Sequence, residues 1–309
     1  MRFSFFTDLH LTDNIPCHRT DNYIVTLCNK LQMVYELSRQ NDCECVGFGG
    51  DFCDRQKITD YDVIKYAVSV LTESNLPTYA CIGEHDLYGH NPETYTKSTL
   101  SFINHYCPNL HLLWEPVHLD NGVSFYAKHE WQKMDDAAKI QVDSSRYNIL
   151  LCHELLHSKK MPFEIICTKD LVLPFDLVCS GDLHCGFPAH KVGNTWYCNP
   201  GSLARKATSD SKRMPKMLII DVKKGRDPWI REQILPGFKQ GHEVLSVGLS
   251  ETVRKFESIV DMTKFIQGFE EYSHEKTDIY ELFNNFKTQH EVKPDIISYI
   301  DNVKTRLNK

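Results

Sequence analysis

No stretch of the 309-residue chain stays apolar for the length that a bilayer crossing needs. The early run RFSFF is too short for a secretory leader and meets Asp8 almost at once. A surplus of positive charge is also missing. Lys and Arg total 35 against 41 Asp and Glu, a net charge of -6, so no global basic field is available to hold a polyanion. Any nucleic-acid contact must then come from a local patch or from bound cations. There is no internal repeat and no low-complexity segment. Nor do the twelve cysteines form a CxxC pair or a zinc-knuckle spacing; Cys43 and Cys45 are too close together for either. Cys81, Cys152 and Cys179 lie in apolar runs, where a thiol serves as a small hydrophobe. So many cysteines without a leader point to a reducing compartment, and the expectation is a cytoplasmic protein with no membrane association.

What is present is the texture of an α/β protein. RFSFF at 2–6 reads as a strand, and Ile24, Leu27, Leu31, Val34 and Leu37 fall at helical spacing. ECVGFGG at 44–50 returns to strand, and 61–72 carries Val63, Ile64, Ala67, Val70 and Leu71 on one face. LPTYACIG is again a strand, and 94–106 a helix. From about residue 110 the runs become short and strand-like: LHLLWE, PVHLD, GVSFYAK, NILLCH, FDLVCSG, NTWYCN, KMLIIDV and IREQILP. This order predicts a layered α/β core rather than a bundle or an all-β sandwich. PGFKQG at 236–241 has turn composition, and the charged, helix-like sequence beyond it suggests two domains, 1–236 and 237–309.

Five of these runs end alike: FSFFTDLH, VGFGGDFCDR, ACIGEHD, NILLCH and LVCSGDLH. Each closes on Asp, Glu or His, and three pass through glycine first. A single Asp after a strand is ordinarily a cap or turn residue. Five with one grammar are harder to explain that way, because loops at the carboxyl ends of strands line the ligand crevice of α/β folds. Ionisable groups gathered there need opposite charge, which a pair of metal ions provides.

DLH at 8–10, GDFCDR at 50–55, GEHD at 83–86, the His153 after NILLC and GDLH at 181–184 resemble the five motifs of calcineurin-like metallophosphoesterases (DxH, GDxxD, GNH(D/E), H and GHxH). The resemblance covers residues 1 to about 235. Within that superfamily GDFCDRQKIT, GEHDLYGHN and NPGSLAR are most similar to SbcD-type DNA exonucleases and their phage recombination relatives.

The resemblance implies a four-layer α/β/β/α sandwich with a small helical C-terminal region. It also implies two metal ions: Asp8, His10, Asp51 and His184 around the first, with Asp51 bridging to a second completed by Glu84, His153 and Asp182. His85 would be the general acid at the leaving oxygen. Asp86 would orient its ring or, alternatively, cap a helix. Two such ions, about 3.5–4 Å apart, clamp both sides of an in-line phosphoryl displacement.

Glu84 and Asp182 depart from the family, which has Asn and His at those places. Two extra anions favour harder metals, so Mn²⁺ is expected, with Mg²⁺, Fe²⁺ and Zn²⁺ as alternatives. The basic run Arg205, Lys206, Lys212, Arg213 and Lys216 is the best phosphate-backbone patch available, its alternative being a solvated loop. The nuclease likeness further implies DNA, an SMC-like ATPase subunit of SbcC type and a second copy of the chain as partners, with the tail from 239 acting as a DNA-facing cap or docking helices. The leading expectation is thus a metal-dependent DNA nuclease of 3'-5' exonuclease type. Alternatives are a phosphodiesterase or phosphatase for small or protein substrates, and a catalytically weakened DNA-binding or scaffold protein.

Overall fold

The computed structural model describes residues 1–159 and 165–246. Two six-stranded sheets stack face to face. In the first, the spatial order is Trp229–Ile234, Lys216–Asp221, Arg2–Phe6 (β1), Cys45–Phe48 (β2), Thr78–Ala80 (β3) and Leu110–Leu112. The last four strands run parallel, Lys216–Asp221 runs antiparallel to β1, and Trp229–Ile234 antiparallel to Lys216–Asp221. In the second sheet the order is Phe187–Val192, Thr195–Asn199, Leu177–Ser180, Tyr147–Cys152, Val123–Lys128 and Val117–His118, parallel at its centre and antiparallel at both edges.

Strand alternation explains the layers. In β1, Phe3 and Phe5 face the second sheet, whereas Phe6 faces the helices and Ser4 bonds the hydroxyl of Ser38 in a helix at 2.7 Å. The same alternation puts Tyr79, Ile149, Leu151, Leu177 and Cys179 in the seam between sheets, and sends Leu150, Cys152 and Val178 to the far side. Phe125 anchors this seam, edge-on to Phe3 and stacked on Tyr79.

Three helices cover the first sheet. Tyr23–Gln40 (α1) buries Leu27, Leu31, Val34 and Leu37, and Asn22 caps it by accepting from the Val25 N–H. Tyr61–Glu73 (α2) is capped by Asp60 in the same way, and Thr99–Tyr106 (α3) by Ser98. The helix expected over 94–106 is in fact two elements. Pro92–Lys97 is a 3-10 turn, and Ser98 then starts α3 afresh, its Oγ accepting from Ser101 N–H at 3.2 Å. The outer cover of the second sheet is thinner: one turn of helix, Met134–Ala137, a two-residue strand pair carrying Leu156, and loops carrying Leu173 and Phe175.

The fold is therefore the α/β sandwich expected, with mixed sheets flanked by helices. The chain remains bonded to this body through residue 246. Lys239 O accepts from Arg205, Thr20 N–H donates to Val244 O, and Ser246 N–H to His18 O. Residues 247–309, on which the expected cap and docking helices fall, lie outside the described residues. Among the described residues, no helix is long and apolar enough to cross a membrane.

Candidate metal centre

All five acid-ended runs converge at one end of the sandwich. Asp8 follows β1, Asp51 follows β2 and Glu84 follows β3, while His153 and Asp182 follow the 147–152 and 177–180 strands of the other sheet. The strand ends are stitched together by backbone bonds: Asp8 N–H to Gly50 O, His10 N–H to Asp51 O and Gly181 N–H to Cys152 O. Two glycines make that approach feasible. A Cβ on Gly83 would land on the Asp51 carboxylate, and one on Gly181 would meet Gly49 O and Thr7 Oγ1.

Two compact groups of ligand-type atoms result, Asp8–His10–His184 and Asp8–Asp51–His153, and a third joins His10, Asp51 and His85. Asp51 Oδ2 stands 3.6 Å from both His10 Nε2 and His153 Nε2, the position a bridging carboxylate requires. His184 Nε2 is 3.0 Å from His10 Nε2 and 3.6 Å from Asp8 Oδ1. Asp8, His10, Asp51 and Asp182 all have positive φ, between 47° and 70°. Such strain in non-glycine residues is held only where the surroundings demand it.

The donor set fits metal ions by three observations. First, His153 Nε2 is buried without a hydrogen-bond partner, while its Nδ1 donates to Gly49 O at 2.8 Å and so turns Nε2 towards Asp51. Second, His10 places Nδ1 3.3 Å from Asp54 Oδ1, the kind of carboxylate contact that orients a ligating imidazole. Third, the charges are lopsided. Burial drives the Asp51 carboxyl well above its usual range, with His153 pulling the other way. Burial likewise lifts Asp182 to about 6, against His153. Burial alone would lower His153, yet Asp51, Asp8 and Asp182 raise it to about 9. A proton on that nitrogen stands where a cation would bind. His10 goes the other way, lowered by burial to about 4, and therefore presents a neutral ring.

His85 lies 3.9 Å from Asp51 Oδ2 through Nε2, and its side chain is 36% exposed. Its Nδ1 faces Asp54 O at 2.7 Å. A carbonyl only accepts, so Nδ1 carries a hydrogen and Nε2 is the nitrogen turned to the site.

Asp86 does not orient this ring. Its carboxylate is fully buried and accepts from the backbone N–H of Cys53 (2.9 Å), Gly83 (3.1 Å) and Phe52 (3.2 Å). It ties the β2 and β3 loops to each other, and the His85 contact belongs to Asp54 instead. Sequence reasoning missed Asp54, although it is the last residue of GDFCD. Asp54 also accepts from Lys206 Nζ at 2.5 Å.

Glu84 joins none of the central groups and clusters with His90 and Glu130. Asp182 belongs to the site through its N–H, which donates to Asp8 Oδ2 at 3.2 Å, but its carboxylate is outside the compact groups.

The basic run is only in part a surface patch. Arg205 is 1% exposed and donates to the carbonyls of Arg213 and Lys239. Arg213 binds the carbonyls of Ser202 and Ala204, Lys30 that of Leu203 and Arg19 that of Arg205. Inward-turned cations thus take every carbonyl from 202 to 205. Lys216 pairs with Glu232 at 2.6 Å and Lys206 with Asp54, which leaves Lys212 exposed. Seen in sequence alone, the run gave no sign that its heads turn inward.

NPGS, quoted above only for its likeness, also braces the site. Asn199 holds the carbonyls of Gly181 and Leu183, and Ser202 Oγ donates to Asp8 O at 2.9 Å. Beside His184 opens a cleft of about 650 Å³, lined by Lys206, Lys212, Arg213 and Met214 among others.

A two-sheet sandwich carrying Asp and His clusters of this kind defines a metal-dependent hydrolase with room for two ions. The family profile described as Calcineurin-like phosphoesterase matches residues 1–186, and the chain belongs to that family. Solved structures agree on the fold. The protein TT1561 from Thermus thermophilus has 11% identity and a TM-score of 0.50, covering 76% of this chain and 98% of its own. A dimetal phosphatase from Danio rerio, LOC 393393, has 9% identity and a TM-score of 0.51, covering 76% and 96%. No curated protein sequence matches significantly.

Proposed function

We propose that this metallophosphoesterase hydrolyses a small or protein-borne phosphoester, as a phosphodiesterase or phosphatase. The cleft beside His184 carries this reading, because 650 Å³ is the size of a ligand pocket. Two of the five basic residues that would have tracked a DNA backbone, Arg205 and Arg213, are spent instead on bracing a loop. The remaining three, Lys206, Lys212 and Lys216, line this cleft, a smaller basic surface than the DNA-exonuclease reading expects. That reading, with its ATPase and self-association partners, rests on the likeness of the GDFCDR, GEHD and NPGSLAR segments.

Asp8, His10, Asp51, His153 and His184 would hold the two ions, with Asp182 beside them. Bound there, a divalent pair supplies Lewis acidity to the phosphoryl group and charge to activate the attacking water. The chain does the rest. The Asp54 carbonyl fixes His85 through Nδ1–H, so that the ring, when it carries a proton on both nitrogens, gives the one on Nε2 to the leaving oxygen and is left neutral. Lys206, 2.5 Å from Asp54 and 3.4 Å from His10 Nδ1, adds positive charge where the cleft meets the centre. We propose Mn²⁺ as the working metal, on the strength of the carboxylate-rich surroundings of His153.

The test is hydrolysis of a generic diester, a monoester and labelled duplex DNA, each with Mn²⁺, with Zn²⁺ and with a chelator. Cleavage of the small esters with DNA spared is the expected result. Degradation of DNA with the esters untouched returns the nuclease reading, and turnover with Zn²⁺ alone removes manganese. His85→Ala should lower turnover by about 10²–10⁴-fold while leaving the bound-metal count unchanged.

A further inference from the structure

The loop from Ser202 to Arg205 presents its two edges to different partners. Its carbonyl edge faces cations: Arg213 donates to Ser202 O and Ala204 O, Lys30 to Leu203 O at 2.5 Å, and Arg19 to Arg205 O at 3.1 Å. Its N–H edge faces the metal centre. Ser202 N–H donates to His184 O at 3.0 Å, Leu203 N–H to Thr7 O at 3.1 Å and Ala204 N–H to Asp8 O at 3.1 Å. The loop thus bridges the backbones of Asp8 and His184, two members of one group of ligand-type side chains. Gly201 lets it come this near, since a Cβ there would meet His184 O at 2.7 Å.

A trans peptide unit is rigid, so the oxygen of one residue and the N–H of the next turn as one body. Leu203 O and Ala204 N–H share such a unit. Lys30 holds its oxygen, and its N–H holds Asp8. Asp8 needs holding, because its φ is 52°. Its own N–H bonds Gly50 O, and its carbonyl accepts from both Ala204 N–H and Ser202 Oγ. Lys30, on α1, is fully buried, and its one hydrogen bond among the described residues is that to Leu203 O. Burial, with Arg205, Arg19 and Arg213 nearby, pushes its pKa well below the usual lysine range. A buried ammonium without a carboxylate is unfavourable, and a neutral donor or a water would satisfy a lone carbonyl at less cost.

We infer that Lys30 is a positioning residue for the ion held by Asp8, His10 and His184. It acts through the Leu203–Ala204 peptide unit, whose N–H fixes the Asp8 backbone and with it the direction of the ligand carboxylate. The inference rests on the reading of those three residues as ligands of one ion. The other group, Asp8–Asp51–His153, shares only Asp8 with this loop. Its His153 is held elsewhere, by Gly49 O and by Lys128. The influence of Lys30 therefore falls mainly on one ion of the pair.

Chelator-stripped protein titrated with Mn²⁺, with the free ion followed by electron paramagnetic resonance, tests the inference. Wild type should bind two equivalents. Lys30→Met, an apolar chain of similar length, should weaken one of them by about 10–100-fold and the other less. Leu37→Ala, about two turns further along α1, is the stability control. It leaves a cavity in the core and should lower the melting temperature without moving either affinity. Unchanged affinities in Lys30→Met overturn the inference and leave the ligand reading standing. Equal weakening in both variants also overturns it, because a loosened fold would do the same. A wild type that binds no Mn²⁺ removes the ligand reading, and the role of Lys30 falls with it. Should Lys30→Met fail to fold, Lys30→Gln, with a shorter polar head, is read by the same outcomes.

Discussion

Single residues in this protein carry more than their motif positions suggest. Asp86 is the sharpest case, a carboxylate used as an internal cap for three backbone N–H groups. Truncating it strands those donors in the core. Asp86→Ala should therefore lower stability by about 3–5 kcal/mol in denaturant unfolding. Asp13 is a second carboxylate of this kind. Burial opposes its ionisation, but the Thr59 N–H and hydroxyl, Arg55 and the Asp60 N–H together hold it below the usual carboxylate range. A depressed folded-state pKa contributes stability above the unfolded value, about 3.9, that is lost as pH falls through the folded one. Asp13→Asn should be less stable than wild type at neutral pH, with the gap in melting temperature closing below about pH 4. The gathering of Asp8, His10, Asp51, His153 and His184 was legible in the sequence because each lies just after a strand. Asp54 was not, since nothing in GDFCD tells which aspartate faces which ring. Arg205 and Arg213 misled for a related reason: a basic run looks the same whether its guanidinium groups point to solvent or to carbonyls.

At the scale of elements, the strand ends do the positioning. The β-α-β order of the first half was readable because helical and strand periods alternate cleanly there. The 94–106 segment was not, because Ser98 sits in phase with the apolar pattern and only its hydroxyl contact to Ser101 reveals a new helix start. Gly181 tests the strand-end argument. A methyl group there must push either Gly49 or Thr7, both flanking the metal ligands. Gly181→Ala should cost about 1–3 kcal/mol of stability and weaken Mn²⁺ binding together. Loss of stability with unchanged metal affinity would show that this crossing does not set the ligand geometry. Asp60→Ala at the start of α2, outside every group of ligand-type side chains, is the matching control. It should cost about 1 kcal/mol and leave the metal titration unchanged.

For the whole molecule, the centre is a concentration of like charge that the fold tolerates rather than favours. Metal binding should consequently stabilise the protein as well as activate it. At a free metal concentration about a hundred times the dissociation constant, about 2.7 kcal/mol is added for each site. Chelator should lower the melting temperature, and restored Mn²⁺ should recover it; an unchanged melting curve would mean that these side chains do not bind ions in the folded state. The overall architecture was visible in advance because alternation within each strand separates the seam residues from the outer ones. The thin cover over the second sheet was not, since loops such as 165–176 carry apolar residues without any period.

The seam itself has a further consequence. Asp51 is borne by one sheet and His153 by the other, so the gap between them is set by the thickness of the dry layer of Phe3, Phe5, Tyr79, Phe125 and Leu151. Those side chains belong to none of the ligand groups, yet they act as the gauge block against which the reactive gap is calibrated. Shaving one of them, as in Phe125→Leu, would retune the enzyme from its interior without altering a single polar atom.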